Sequence, residues 1–297
     1  MEGLSSLVRL ANREDALVAI NGGFFNRVRR LPLGALRERG RWLSGPILNR
    51  GAVGWNPQGP LRFGRLRLEE AVVDANGNRW PLQELNSGYV QRGISRYTAD
   101  WGASYRSLTA GESGVLVRDG VVRTRYGSEA LGGGIPLAGN DQLLVARAGA
   151  VLPWGEGDRL TLDSRPSDPL GLAWNVVGGG PLLLLEGRRV LNGRAEGFGS
   201  AFLSQGAPRT VIGSDGRQLW LITLEGVDDE GPTLEEATLL LAQLGLRDAL
   251  NLDGGSSTGL VMGGVHTVKG RGVVSAVHNG IGIVPHQGRS GPTASRP

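Results

Sequence analysis

The sequence predicts an α+β fold of mixed, β-rich sheets with a few helices and a C-terminal strand–helix–strand unit. Three observations lead there. The 297 residues include 50 glycines and 15 prolines but only 5% aromatics, which suits many short strands and turns better than a helical bundle. Short alternating segments bounded by turn residues fill the first two thirds of the chain. The last third instead reads as strand, capped helix, strand. No shift in composition marks an internal linker, so residues 1–285 read as one domain. Residues 286–297, rich in Gly, Ser and Pro, read as a disordered tail.

Ser5 to Asp15 carries Leu7, Val8 and Ala11 at helical spacing behind a Ser cap, and Leu17 to Ile20 is the first short strand. From Arg50 to Thr98, turn signals at Asn56-Pro57, Asn76-Gly77-Asn78 and Asn86-Ser87-Gly88 separate alternating runs such as Leu66 to Val73. These predict antiparallel strands and hairpins. Gly114 to Arg123 is a hairpin with Asp119-Gly120 at its tip, and Gln142 to Ala146, Arg159 to Leu162 and Pro181 to Val190 continue the β pattern. Gly178-Gly179-Gly180 permits close backbone approach. Gln218 to Leu224 is a strand, and an acidic loop follows it from Asp228 to Glu230. Thr233 to Glu236 forms a capping box opening a helix whose stripe is Leu234, Ala237, Leu240, Leu241 and Leu244. Gly245 ends it, and Ala249 to Leu252 is the next strand. Such a unit runs its two strands parallel, which puts Glu225 and Asp253 at the same edge.

The chain writes nearly one phrase twice. Asp15 to Phe25 reads DALVAINGGFF, and Asp248 to Thr258 reads DALNLDGGSST. Each is an apolar run, a side-chain carbonyl (Asn21 or Asp253) and two glycines, the pattern of a buried strand stopping at a site-forming turn. The plainer reading is two unrelated turns, with Asp253 capping its own. On the functional reading, Asp253 and Glu225 are two carboxylates over one cleft, suited to acid–base or nucleophilic work on an acetal. Backbone N–H groups from Gly254 to Ser257 suit an anion-binding nest, and Arg209 suits a bidentate phosphate clamp.

Other chemistries lack their motifs. There is no cysteine, so neither disulfides nor a thiolate metal site exist. The histidines His266, His278 and His286 have no zinc-site spacing, so neither a metal nor another cofactor is expected. A triad of Ser256 with His278 stays open. GxxxxGK[ST] is missing, as is any apolar run long enough to span a membrane. The net charge is +4, almost all of it from arginine, with Lys269 the sole lysine. Arginines cluster between Arg27 and Arg41 without the interleaved aromatics of single-strand binders, so no nucleic-acid partner is expected.

Four motifs resemble the phosphodiester glycosidase family: AINGGFF (Ala19 to Phe25), GGGPLL (Gly178 to Leu183), PRTVIGSDGR (Pro208 to Arg217) and ALNLDGGSST (Ala249 to Thr258). LNSGYVQRGISRYTADWG (Leu85 to Gly102) and VHNGIGIV (Val277 to Val284) agree more weakly. The resemblance implies a mixed α+β domain that cleaves a sugar-1-phosphodiester or phosphorylated glycan, releasing sugar from phosphate outside the cytoplasm. It implies Asn21, Gly22, Gly23, Arg209, Asp253, Gly254, Gly255 and Ser256 as site-lining positions. Where the family often has VDGR, this chain reads Leu224-Glu225-Gly226-Val227, and it has two glycines after Asp253 where many members have three. Family members carry β-rich sequence and often an export signal upstream of NGGFF. With 20 residues before Asn21 here, a truncated start is expected. The alternative function is a non-catalytic cell-envelope glycan-binding domain with the same cleft.

Overall fold

Residues 3–57 and 59–285 are described in the computed structural model; the tail anticipated at 286–297 lies outside them. The alternating segments of the first half build a seven-stranded sheet. Its order is Val121–Tyr126, Ser113–Arg118, Gln142–Arg147, Gly93–Thr98, Arg79–Leu85, Leu68–Asp74 and Leu160–Pro166. The hairpin at Asp119-Gly120 forms as expected, with φ of 52° and 72° at its two tip residues, the left-handed pair of a type I′ turn. Alternation sends Val72, Leu82, Ile94, Val115 and Leu144 to one face and Tyr97, Leu116, Leu143 and Val145 to the other. On the second face the buried Arg147 donates to Glu112 at 2.7 Å and to the Tyr97 and Tyr105 hydroxyls at 2.8 and 2.7 Å.

One pairing departs from the antiparallel expectation: Arg79–Leu85 and Gly93–Thr98 are parallel. Asn86 is the cause. It is fully buried in a left-handed conformation (φ 44°), its amide donating to Leu43 O and Thr98 Oγ1 and accepting from Thr98 N. Asn86 N–H still donates to Arg96 O at 2.9 Å, and the chain passes through residues 87–92 before re-entering in the same direction.

The site rests on two smaller sheets. One has the order Arg188–Arg189, Leu182–Leu185, Asp248–Asn251, Arg209–Ser214, Leu219–Leu224; the other has Val265–Lys269, Gly259–Met262, Val18–Asn21, Gly280–Ile283. Both are antiparallel throughout. A further five-stranded sheet, with Asn175–Gly178 at its centre, packs beside them. Ile20, Val53, Val177, Leu182, Ile212, Leu250 and Ile281 form one core that joins all three sheets.

The helix Leu234–Gln243 starts with its capping box formed and buries Leu234, Ala237 and Leu241 against Leu183, Leu184 and Val211. Leu240 and Leu244 belong to the expected stripe but are exposed. The two strands flanking this helix do run parallel, though not as neighbours. Each pairs antiparallel with Arg209–Ser214, which lies between them. The first helix, Leu7–Arg13, takes Ser6 as its cap.

Candidate active site

The two polar-Gly-Gly turns meet. The Asn21 side-chain amide donates to Asp253 O at 2.7 Å, and Asp253 N–H donates back to Gly22 O at 3.1 Å. Asn21 is buried, and its Oδ1 accepts from Thr210 Oγ1 at 2.7 Å and from Gly259 N–H at 3.0 Å. It therefore ties three chain segments together, using both acceptor positions and one of its two N–H bonds. Gly22 and Gly23 are pinned from the other side by Asn279, whose carbonyl accepts from Gly22 N–H at 2.9 Å and whose Oδ1 accepts from Gly23 N–H at 3.0 Å. A Cβ on Gly22 would fall 1.9 Å from Asn279 Oδ1, so a side chain there must push that oxygen off Gly23 N–H. On the second turn, a Cβ on Gly254 would fall 2.8 Å from Pro208 O.

Asp253 is half-buried at this junction, with Oδ1 accepting from Gly254 N–H at 3.0 Å. Burial pushes its carboxyl up to about 6, against a smaller downward pull from the Ser257 hydroxyl, the Gly254 N–H and the charge of Arg27. Such a group exchanges its proton near neutrality. Arg27 reaches the site from the tip of the hairpin formed by Phe25–Asn26 and Leu31–Pro32, and its Nη2 donates to Ser256 Oγ at 3.1 Å.

Several anticipated donors are already engaged. Gly255 N–H donates to Pro208 O at 2.8 Å, Ser257 N–H to Gly254 O at 3.2 Å, and Gly254 N–H goes to Asp253 itself. Arg209 is buried, with Nε donating to Pro232 O at 3.1 Å and Nη2 donating to Gln205 O. Side chains alternate along a strand. Thr210 points its hydroxyl at Asn21, so its neighbour Arg209 leaves on the opposite face, over the Phe202 ring. Glu225 is exposed, at the start of the loop following Leu219–Leu224. Register places Leu224 and Asp253 on either side of Arg209, so two strand spacings, roughly 10 Å, separate the backbones bearing the two acids.

The sequence reading passed over other residues here. Asn279 lies inside the quoted VHNGIGIV segment without having been singled out. Phe24, Phe198 and Phe202 form a half-buried aromatic wall beside the first turn, with ring centroids 4.9 to 5.9 Å apart. Arg50 lies 4.0 Å over Phe198 and donates to Glu196 O at 3.0 Å. Single aromatic and basic residues drawn from separate loops leave no local pattern. Among the described residues, no group of three or more His, Cys, Asp or Glu is placed to hold a metal ion.

Residues 112–284 match the model of the phosphodiester glycosidase family. A protein of undetermined function from Synechocystis has a solved structure that superposes at a TM-score of 0.89 with 41% identity, over 95% of this chain and 54% of that one. The chain belongs to the phosphodiester glycosidase family. It spans about half the length of the Synechocystis protein, 54%. A Burkholderia pseudomallei protein whose name marks it as a candidate for export shares the fold at 20% identity and a TM-score of 0.74, over 95% of this chain and 68% of that one. So does the catalytic domain of zebrafish N-acetylglucosamine-1-phosphodiester alpha-N-acetylglucosaminidase, described as auto-inhibited by its pro-peptide. There the identity is 17% and the TM-score 0.52, over 95% of this chain and 68% of that one. No curated protein matches the chain. Among the described residues, no helix is long and apolar enough to cross a membrane.

Proposed function

We propose that this protein is a hydrolase of glycosyl-1-phosphodiesters, cleaving between the sugar and its phosphate. The observation that carries the reading is Asp253, fixed where two Gly-Gly turns meet and with its carboxyl raised to about 6. Above that pH it is a carboxylate able to take a proton from water or to attack the sugar carbon itself. The leaving group is a phosphate monoester, already a weak base, so stabilising its charge matters more than protonating it. Glu225 is the proposed second acid. The two strand spacings between the backbones fit the wider carboxyl separation, in which water attacks directly and configuration inverts. The half-buried Phe24, Phe198 and Phe202 wall suits the apolar face of a sugar ring. Arg209 and Asn21 hold the walls in register through the carbonyls and hydroxyl they bind.

A cell-envelope polymer as substrate, and a place of action outside the cytoplasm, belong to the same proposal. The candidate-for-export name of the Burkholderia neighbour and the phosphodiester named for the zebrafish enzyme support it. The test is release of free sugar from a panel of sugar-1-phosphodiesters, with and without chelator, by the wild type and by Asp253→Asn. Turnover by the wild type that disappears in a folded Asp253→Asn is the expected result. Sugar-phosphate binding without turnover would put the glycan-binding module in its place.

A further inference from the structure

A phosphodiester cleft needs a cation for its substrate, and the two donor sets that the motifs suggest are occupied by the protein. The Gly254 and Gly255 amides bind Asp253 Oδ1 and Pro208 O, and Arg209 binds the main-chain carbonyls of Pro232 and Gln205. Arg50 donates to Glu196 O and lies over Phe198. Two other guanidinium groups approach the Asp253 turn. Arg27 donates to Ser256 Oγ at 3.1 Å and lies close enough to Asp253 to pull its carboxyl pKa down. Arg271 Nε lies 3.8 Å from where a Cβ on Gly255 would sit, with no other heavy atom outside residues 254–256 within 4 Å of that point. Its backbone is left-handed at φ 53°, an uncommon conformation for a non-glycine residue. Gly270 N–H donates to Thr258 O at 2.8 Å and holds the 270–272 turn against the turn following Asp253. Among the described residues, neither Arg27 nor Arg271 enters an ion pair.

We propose that Arg27 and Arg271 are the two cations that hold the substrate's phosphate over Ser256, one from the 25–32 hairpin and one from the 270–272 turn. The assignment rests on the hydrolase reading for its substrate class and adds the residues that select it. A phosphodiester carries one negative charge shared by two non-bridging oxygens. Two forks arriving from separate elements can each take one oxygen, while Ser256 Oγ, already a neighbour of Arg27, donates its proton to the same group. Holding the phosphate there sets its charge beside the cations as the sugar–oxygen bond breaks, which is when that charge grows. A neutral aglycone offers these groups nothing, so the pair selects for an ionised leaving group.

The experiment follows two readouts on the full chain: thermal unfolding in rising inorganic phosphate, and hydrolysis of a panel of sugar-1-phosphate methyl diesters. The proteins compared are wild type, Arg27→Gln, Arg271→Gln, the double variant and Arg29→Gln. Arg29 sits at the same hairpin tip but donates to Leu108 O, so its variant serves as the control. Each single substitution is expected to weaken phosphate binding and raise KM about tenfold, and the pair together about a hundredfold, in line with the loss of charged hydrogen bonds. A wild type whose melting temperature ignores phosphate, or a double variant that binds phosphate as the wild type does, overturns the clamp. Turnover with unchanged KM in the double variant also overturns it, while leaving the hydrolase reading intact. If the wild type cleaves no diester but its phosphate response disappears with Arg27 and Arg271, the hydrolase reading fails and the clamp stands.

Discussion

Replacing Asp253 with asparagine should make the protein more stable at neutral pH while removing its activity. The carboxyl titrates near 6 in the folded chain, against an ordinary value of 3.8. Below 3.8 both folded and unfolded chains carry the proton, and the stability associated with it is fully present. Between 3.8 and about 6 the folded state keeps a proton that the unfolded state has released, so stability falls as pH rises. Above that range the full penalty remains, roughly 3 kcal/mol at 1.36 kcal/mol for each pH unit between the two values. That figure is a ceiling, because the half-buried carboxyl keeps some contact with water. Asparagine has no charge to bury, and its Oδ1 can still accept from Gly254 N–H. Taking about 2 kcal/mol of that ceiling, the variant should melt roughly 4–8 °C above the wild type at pH 7.5, at about 2–4 °C per kcal/mol. At pH 4 the two should melt nearly together. Scanning calorimetry at the two pH values measures both. A gain that is the same at pH 4 and pH 7.5, or a loss at pH 7.5, would refute burial as the origin of the raised pKa.

Three further substitutions probe how the site is held. Arg27→Gln removes a positive charge that favours the ionised Asp253, so the acid limb of the kcat profile should move to higher pH; an unmoved limb would place Arg27 out of electrostatic reach. Gly22→Ala drives a methyl group into Asn279 Oδ1 and should cost about 1–3 kcal/mol in denaturant unfolding together with activity, whereas a neutral result would mean that the turn relaxes freely. Arg209→Lys keeps the charge but cannot span Pro232 O and Gln205 O with one planar fork. A loss of about 1–3 kcal/mol with a parallel fall in activity is expected, and unchanged unfolding would show that the two carbonyls need no bridge.

How much of this was legible beforehand depends on whether the signal was local. Asp253, Asn21 and their glycines form short contiguous patterns whose turn chemistry acts within a few residues, and the structure brings the two turns together. The capping box at Thr233 and Glu236 and the Asp119-Gly120 turn were readable for the same reason. Arg209 illustrates the opposite case. Its membership of a strand was plain, but the face it takes depends on which neighbour meets Asn21, and that contact spans 189 residues. The parallel pairing of Arg79–Leu85 with Gly93–Thr98 was hidden behind Asn86-Ser87-Gly88, which reads as a tight turn until Asn86 is seen to be buried and bonded to Leu43 and Thr98.

The duplicated phrase does not correspond to a duplicated unit. Val18–Asn21 belongs to the four-stranded sheet and Asp248–Asn251 to the five-stranded one, and in the second phrase Leu252 intervenes between the strand and its acid. What the copies share is an end-state. Each strand ends in a buried asparagine whose amide leaves the ladder and binds backbone elsewhere: Asn21 binds Asp253 O, and Asn251 binds Gly180 O and Leu252 O. A buried amide is costly unless hydrogen-bonded, and the Nδ2 of each asparagine finds a backbone carbonyl in another segment. For Asn21 that partner is Asp253 O, which ties the two turns together. The junction also bears on the glycines: once the strand ends are drawn together, a Cβ on Gly22 or Gly254 would crowd Asn279 or Pro208. Asp253 is then the first residue past the junction with a side chain able to reach the cleft, and the same close packing that fixes it thins the water that would hold its pKa down.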